Sequence, residues 1–576
     1  MDNEHNKPLK VGLLMDSTEL PAWAFEMLKR IVNSDYAAVS LIVLNGAEKP
    51  RQSILAKFWR NRRFLLYMAY ERLDRRLFRQ NPEAFEPMDA EPLLTGVARM
   101  TVTPRQTRFC DTISDEDNAR IEPHGIDVFL RFGFRILKGR ILQSAQHGIW
   151  SFHHGDNRIN RGAPPGFWEV MEHHPTTGSV VQVLTPDLDN GVVLCRSYSA
   201  TDQLSVNRNC NNYYWKSLSL VPRLLEELRR GPERFRARVR AENRSLAFYS
   251  HPLYVQPSNA EFLPLLLRHW CGYARSKLKE WLSYEQWILL CDLRDDLSTS
   301  FRRYRPIVPP RDRFWADPHV IHRDGNYYIF FEEFLYGRGK GHVSVMVMDE
   351  HGAYGDPVRV LERPYHLSYP FVFEWRGQYY MIPESMENGT IEAYRCVQFP
   401  REWEFCANLM TGVEAVDATL LHHGARWWLF ANMKENRGAS IEDELFLFSA
   451  DTPLSEEWTP HPQNPIVSDV RRARPAGRIF LYDGQLYRPS QDGSMGYGYG
   501  IRMNKIVRLD EEEYEEREVD MIEPRWNPRI VGVHTFAHAD RLSMIDGRLR
   551  RRRLPPFPGD RSRKSTPPSA SGRSAR

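Results

Sequence analysis

The sequence predicts a multidomain protein: an α/β domain followed by an all-β five-bladed β-propeller. Two observations predict it. Short apolar runs alternate with amphipathic stretches over roughly the first 250 residues, and from about residue 311 a pattern recurs at intervals near fifty residues. Strands alternating with helices imply a mainly parallel sheet. A repeat of that length with several strands per copy implies blades, because one blade alone cannot bury both of its faces. At 576 residues the chain exceeds what one hydrophobic core supports.

The elements follow in order. Lys10 to Met15 is an apolar run ending in the turn-like Asp16-Ser17-Thr18, and Pro21 to Val32 is amphipathic. Ser40–Leu44, Asp127–Leu130 and Val180–Leu184 are further strand-like runs, and this α/β domain is expected to fill residues 1–250. Residues 51–80 interrupt it with a helix in which Phe58, Leu65, Met68, Leu73 and Leu77 alternate with arginines. A solvated helix face is the plain reading of that insertion; a basic amphipathic helix resting on an anionic membrane is the sharper one. Residues 251–310 are expected to be a linker, with a helical bridge at Ala260–Leu282. Blades occupy 311–547, and the Pro-, Ser- and Arg-rich stretch 548–576 reads as a disordered basic tail.

Charge narrows the function classes. The formal total is +4, yet residues 548–576 carry +9 and 51–80 carry +7, which leaves −12 for the remainder. An acidic body with two basic appendages offers nucleic acid no continuous positive face, so no nucleic-acid partner is expected. Hydrophobic residues at 42 % and charged residues at 26 % exclude overall disorder. Seven cysteines without a C-x-x-C pair argue against a disulfide framework and a zinc knuckle, and no metal is expected. The start Met-Asp-Asn-Glu-His is unlike a signal peptide, and the densest apolar stretches fall short of the ~20 residues that span a bilayer. A cytoplasmic protein, with peripheral contact at the inner membrane face through residues 51–80, is the resulting expectation. The sequence sets no oligomeric state.

The repeat carries chemistry. Its anchors are Asp317, Tyr369, Asp417, Pro475 and His534, spaced 52, 48, 58 and 59 residues apart. The aromatic doublets Tyr327-Tyr328, Tyr379-Tyr380 and Trp427-Trp428 each begin ten residues after an anchor. In a propeller the innermost strand of every blade starts near the axis, so equivalent positions converge. Asp317, Glu384, Asp417, Arg474 and His534 should meet there, with Glu332, Asn432, Gln491 and Asp492 close by. Acids, an arginine and amides among aromatics suit sugar hydroxyls, and a pair of carboxylates could act on a glycosidic bond.

The stretches WADPHVIHRDGNYYIFFEE, YHLSYPFVFEWRGQYYMIPES, ARPAGR and YRPSQD resemble the N-terminal module of glucosamine inositolphosphorylceramide transferases. That resemblance implies a glycolipid, nucleotide-sugar or amino-sugar substrate. More distantly the module is similar to five-bladed glycosidases, which use two Asp and one Glu around the axis. Asp317 and Asp417 fit their two Asp, whereas Glu384 lies in the second blade and their Glu comes from a later one.

In the first half, GIWSFHHGDNRINRGAPPGFWEV and TGSVVQVLTPDLDNG resemble the formyltransferase family. The resemblance covers residues 9–200 and implies a Rossmann-like fold with 10-formyltetrahydrofolate as cofactor. It makes His153 the base that takes a proton from the attacking amine and Asp189 its orienting acid. Ser151 stands where the family has the Asn that donates to the oxyanion. Arg161 and Gly162 then hold substrate, and Phe132, Gly133 and Phe134 border the folate. Together the two resemblances imply a transferase of surface-glycan or glycolipid assembly that formylates an amino sugar held by the propeller. The alternative keeps the first half as an inactive scaffold beside a propeller that binds or processes sugars.

Overall fold

The computed structural model describes residues 7–47, 53–107, 109–186, 191–245 and 248–553. The first half is built on a seven-stranded sheet in the order Val192–Ala200, Thr176–Val183, Ile149–His153, Val128–Arg131, Leu9–Met15, Ala37–Asn45, Ala98–Val102. Five strands from Ile149–His153 to Ala98–Val102 are parallel, Thr176–Val183 runs antiparallel to them, and Val192–Ala200 runs antiparallel to Thr176–Val183. The first strand is central and covered on both faces, which is why Val11, Leu13, Leu14 and Met15 form an unbroken buried run. Helix Ala22–Val32 covers one face through Met27, Leu28 and Ile31. Because Leu9–Met15 pairs on one side with Ala37–Asn45 and on the other with Val128–Arg131, the chain reverses its winding there. Open α/β sheets form crevices at that switch, beyond the strand ends.

Five sheets follow, and they make a five-bladed propeller. Four are consecutive in the chain, beginning with Arg313–Arg323, Ser368–Trp375, Ala415–His423 and Phe480–Tyr482. The fifth is composite: Phe536–Ala539 and Leu542–Arg552 pair with Ser283–Leu293 and Arg305–Ile307. This closure corrects two sequence boundaries. Within the expected linker 251–310, Ser283–Leu293 and Arg305–Ile307 are blade strands, and Arg548–Arg552, assigned to the tail, pairs with Ser283–Trp287. The repeat missed both because its last copy is completed from a segment that precedes the first. Residues 554–576 lie outside the described residues. The bridging helix spans Asn259–Leu282, opened by a capping box between Ser258 and Glu261, and the basic insertion forms helices at Ile54–Asn61 and Leu65–Leu77.

The recurring anchors have a backbone cause. Asp317, Tyr369 and Asp417 all sit at positive φ (53°, 43° and 52°), at register shifts between Ala316/His319, Ser368/Phe371 and Val416/Thr419. Each is a bulge that inserts an extra residue and re-aims a side chain.

A loop of the third blade enters the first half. Gly438 there adopts φ 98°, and a Cβ on it would lie 2.4 Å from the Trp215 ring. Three consecutive acids follow. Glu442 faces the propeller axis, Asp443 pairs with Lys216 at 3.0 Å, and Glu444 pairs with Arg223 at 2.8 Å. Ser199 also donates to Asp443 at 2.5 Å.

Candidate functional site at the propeller axis

The bulges deliver what the spacing promised: Asp317, Glu332, Glu384, Asp417, Arg474 and His534 meet in a buried cluster. Arg474 is its hub. Its Nε lies 2.5 Å from Asp417 Oδ2, its Nη1 2.7 Å from Glu442 and its Nη2 3.6 Å from Glu384. Gln491 donates to Asp417 Oδ2 at 2.9 Å. Asp492 turns instead to Arg502 at 2.6 Å, and Asn432 donates to the Ile441 carbonyl. Tyr369 does not carry charge; its hydroxyl accepts from the Gly477 amide at 2.8 Å and meets Thr419 at 2.8 Å.

On the opposite side His534 bridges two carboxylates, with Nδ1 2.6 Å from Asp546 and Nε2 3.4 Å from Asp317. Asp546 accepts from the backbone amides of Asp317, His534 and Thr535, and Thr535 Oγ1 donates to Asp317 at 2.7 Å. Trp287 stacks on the imidazole at 4.1 Å. Ligand atoms of Asp317, His534 and Asp546 lie within 4.8 Å of one another, so this trio could hold a metal ion. Each ring nitrogen already faces a carboxylate, which makes a buried ion-paired triad the simpler description.

Electrostatics follow from crowding. Burial, then the neighbouring Asp317, pushes the Glu332 carboxyl well above the usual carboxylate range. Burial and Asp417 do the same to Glu384, against the pull of Arg474. Burial lifts Asp317 to about 6, although His534 opposes it. Burial lowers His534, but Asp546 and Asp317 outweigh that and raise it. Glu332 Oε1 and Glu384 Oε2 are buried without a hydrogen-bond partner. Above this floor lies Tyr497, 43 % exposed, with its ring 5.0 Å from the Arg474 guanidinium and edge-on to His534.

A pH dependence follows. The folded state holds a proton on Asp317 up to about 6, whereas an unfolded Asp loses it near 4. Stability from this group is complete below the unfolded value and falls as pH rises through the folded one. Asp317→Asn should therefore lose less thermal stability than the native protein between about pH 4 and pH 6.5. Parallel melting curves over that range would contradict the assignment.

The sequence missed Asp546, Glu442, Tyr497 and Trp287. Trp287 and Asp546 belong to the composite blade. Their cue was hairpin register rather than the fifty-residue spacing.

Of the second predicted constellation, the described residues place His153 and Ser151 on one cavity. His153 sits at the end of strand Ile149–His153, and its Nε2 donates to the Asn160 carbonyl at 2.6 Å. The Ser151 hydroxyl donates to the Phe152 carbonyl at 3.3 Å, so it is turned to the backbone rather than to an oxyanion. Both line a cavity of about 170 Å³ with Arg131 and Gln182. Asp189 lies outside the described residues. Arg161 lies against the Tyr249 ring at 4.6 Å, and a Cβ on Gly162 would strike the Tyr254 carbonyl at 1.9 Å. Phe132 and Gly133 donate their amides to the Leu14 carbonyl, and the Phe134 amide donates to Asp16 Oδ1. A Cβ on Gly133 would lie 2.3 Å from the Asp16 amide, and Phe134 is core. The Phe132–Phe134 turn thus ties two strand ends together. His154 faces away into aromatic packing at 3.8 Å from Tyr214, where burial lowers its pKa to about 3.

The architecture is that of a five-bladed propeller joined to an α/β sheet domain. Within it, residues 308–528 match the family described as glucosamine inositolphosphorylceramide transferase 1, N-terminal. The glucosamine inositolphosphorylceramide transferase 1 of Arabidopsis thaliana is 38 % identical over 209 residues, 36 % of this chain and 27 % of that protein. The chain therefore spans about a quarter of the length of the relative it matches. Among solved structures, Zg3597, a family 117 glycoside hydrolase from Zobellia galactanivorans, aligns with 46 % of this chain and 90 % of its own at 12 % identity and TM-score 0.31. Glycinamide ribonucleotide transformylase 1 from Symbiobacterium toebii aligns with 43 % of this chain and 94 % of its own at 16 % identity and TM-score 0.23. Likenesses this low carry no argument for either half.

The matched segment lies wholly within the propeller and lends nothing to the formyltransferase resemblance. It also overturns the expected 10-formyltetrahydrofolate: the relatives are named for a sugar and a lipid, not for a one-carbon carrier. The local geometry agrees, since Phe132–Phe134 is spent on strand-to-strand contacts and Ser151 on the backbone.

Proposed function

We propose that this protein serves glycolipid or surface-glycan assembly, and that its propeller axis holds a sugar bearing a free amine, of glucosamine type. One observation carries the reading: among the described residues six carboxylates (Asp317, Glu332, Glu384, Asp417, Glu442, Asp546) gather around two cationic side chains, Arg474 and His534, with the His366 imidazole, whose pKa burial lowers, 3.5 Å from Glu332. A buried surplus of acids is costly until a cation arrives or protons are taken up. An ammonium group supplies that charge, while Tyr497 offers an aromatic surface for the sugar ring. The match of residues 308–528 to a family named for glucosamine transfer supports the same substrate class. The first half then acts as a scaffold holding the propeller, the alternative that the sequence left open. Asp417 is an unsuitable nucleophile, because Arg474 and Gln491 engage it.

Binding should release protons, because an ammonium neighbour lets Glu332 and Glu384 ionise. Calorimetry with glucosamine in two buffers of different ionisation enthalpy is expected to show that release. N-acetylglucosamine, which lacks the charge, should bind about 10–100-fold more weakly, as should glucosamine to Glu384→Gln. Equal affinity for the two sugars, or binding without proton release, would sink the proposal.

A further inference from the structure

The bridging helix Asn259–Leu282 and the basic helix Leu65–Leu77 pack on each other where the Asn259 side chain meets Arg62 and Leu66 and where Phe262 meets Tyr67 and Tyr70. Phe262 and His269 are the buried residues of the bridging helix. Leu265 and Leu266 pack partly against the same cluster as Phe262, and an apolar stripe faces outward. Leu263, Leu267, Trp270, Leu278 and Trp281 are all exposed, Trp281 by 68 %. Their spacings of 4, 3, 8 and 3 keep them on one stripe. The basic helix repeats the arrangement: Tyr67 and Asp74 face inward, while Leu66, Leu73 and Leu77 are exposed. Phe58 and Trp59 extend that apolar surface on the preceding helix.

An apolar stripe on the outside of a folded domain needs an occupant. Here the flanks name it. Residues 51–80 carry +7, and Arg268, Arg275, Lys277 and Lys279 line the bridging helix against Glu261 and Glu280, on a body that is otherwise acidic. We propose that these helices form an interfacial platform that docks on an anionic lipid bilayer, lying in the headgroup region with Trp59, Trp270 and Trp281 inserted. No helix among the described residues is long and apolar enough to cross a membrane, which fits a surface-lying mode. A second copy of the chain is the poorer occupant, because a two-fold contact sets the same cationic surface against itself. Interfacial helices draw on apolar insertion and attraction to acidic lipid together, so both arms are testable.

The full chain is expected to float with phosphatidylcholine vesicles containing phosphatidylserine and to remain behind with phosphatidylcholine alone. Trp270→Ser/Trp281→Ser should weaken this about tenfold or more. Arg72→Glu/Arg76→Glu should weaken it comparably at low salt and make little difference at high salt. All four side chains are exposed, so thermal midpoints should not move. Flotation indifferent to phosphatidylserine, or unaffected by both double variants, overturns the proposal. So does dimerisation through this face without vesicle binding.

Discussion

Arg474→Met is expected to cost about 3–5 kcal/mol of stability, because it leaves Asp417 and Glu384 buried with no cation between them. Where ~1 kcal/mol corresponds to about 2–4 °C for a unit of this size, the propeller's melting midpoint should drop by about 10 °C. The loss should also depend on pH. At low pH the orphaned carboxyls can take up protons and the damage is limited; at high pH they must stay charged or unfold the blade. The deficit against the native protein should therefore grow between about pH 5 and pH 8, and a constant deficit would point to lost packing alone. Glucosamine binding should respond separately from stability. With the guanidinium gone, the axis has one more unpaired negative charge, so an ammonium ligand should restore more stability to the variant than to the native protein. A thermal-shift titration reads this directly, and equal shifts would falsify the charge-balance account.

How much of this was legible in the sequence depends on how far each feature reaches along the chain. Asp317, Tyr369 and Asp417 were readable because the same bulge recurs at one place in three successive blades, and the repeat preserves both the bulge and its spacing. The hairpin following each inner strand was equally local, as in Asp324-Gly325 and Asp483-Gly484, where both residues take positive φ. Asp546 was not readable. Its strand is completed by Ser283–Leu293, more than two hundred residues earlier, and no periodic pattern announces such a closure. In the first half the strand runs were clear, but the motif around His153 gave no cue to two of its contacts: His153 bonds Asn160 and Ser151 bonds its own neighbour. A motif fixes which residues share a loop; it does not fix where their hydrogen bonds go.

The run Glu442-Asp443-Glu444 was the least legible of all, since three consecutive acids carry no signal of separate partners. The structure spends each of them differently, on Arg474 at the axis and on Lys216 and Arg223 in the α/β domain. Lys216 and Asp443 are both buried, so removing one partner strands the other. Lys216→Met is expected to cost about 3–5 kcal/mol, and Asp443→Leu a similar amount, whereas Lys216→Met/Asp443→Leu should recover most of it because neither charge is then left alone. Thermal denaturation of the four proteins checks this cycle; additive losses in the double variant would show that the pair is not coupled. The same loop carries Glu442, so loosening it at Asp443 should also slacken the hold on Arg474. Glucosamine affinity is expected to fall in both single variants and to return in the double one. Affinity that stays level while stability falls would mean that the seam between the domains and the axis are energetically separate, and that the adjacency of the three acids is only a matter of sequence.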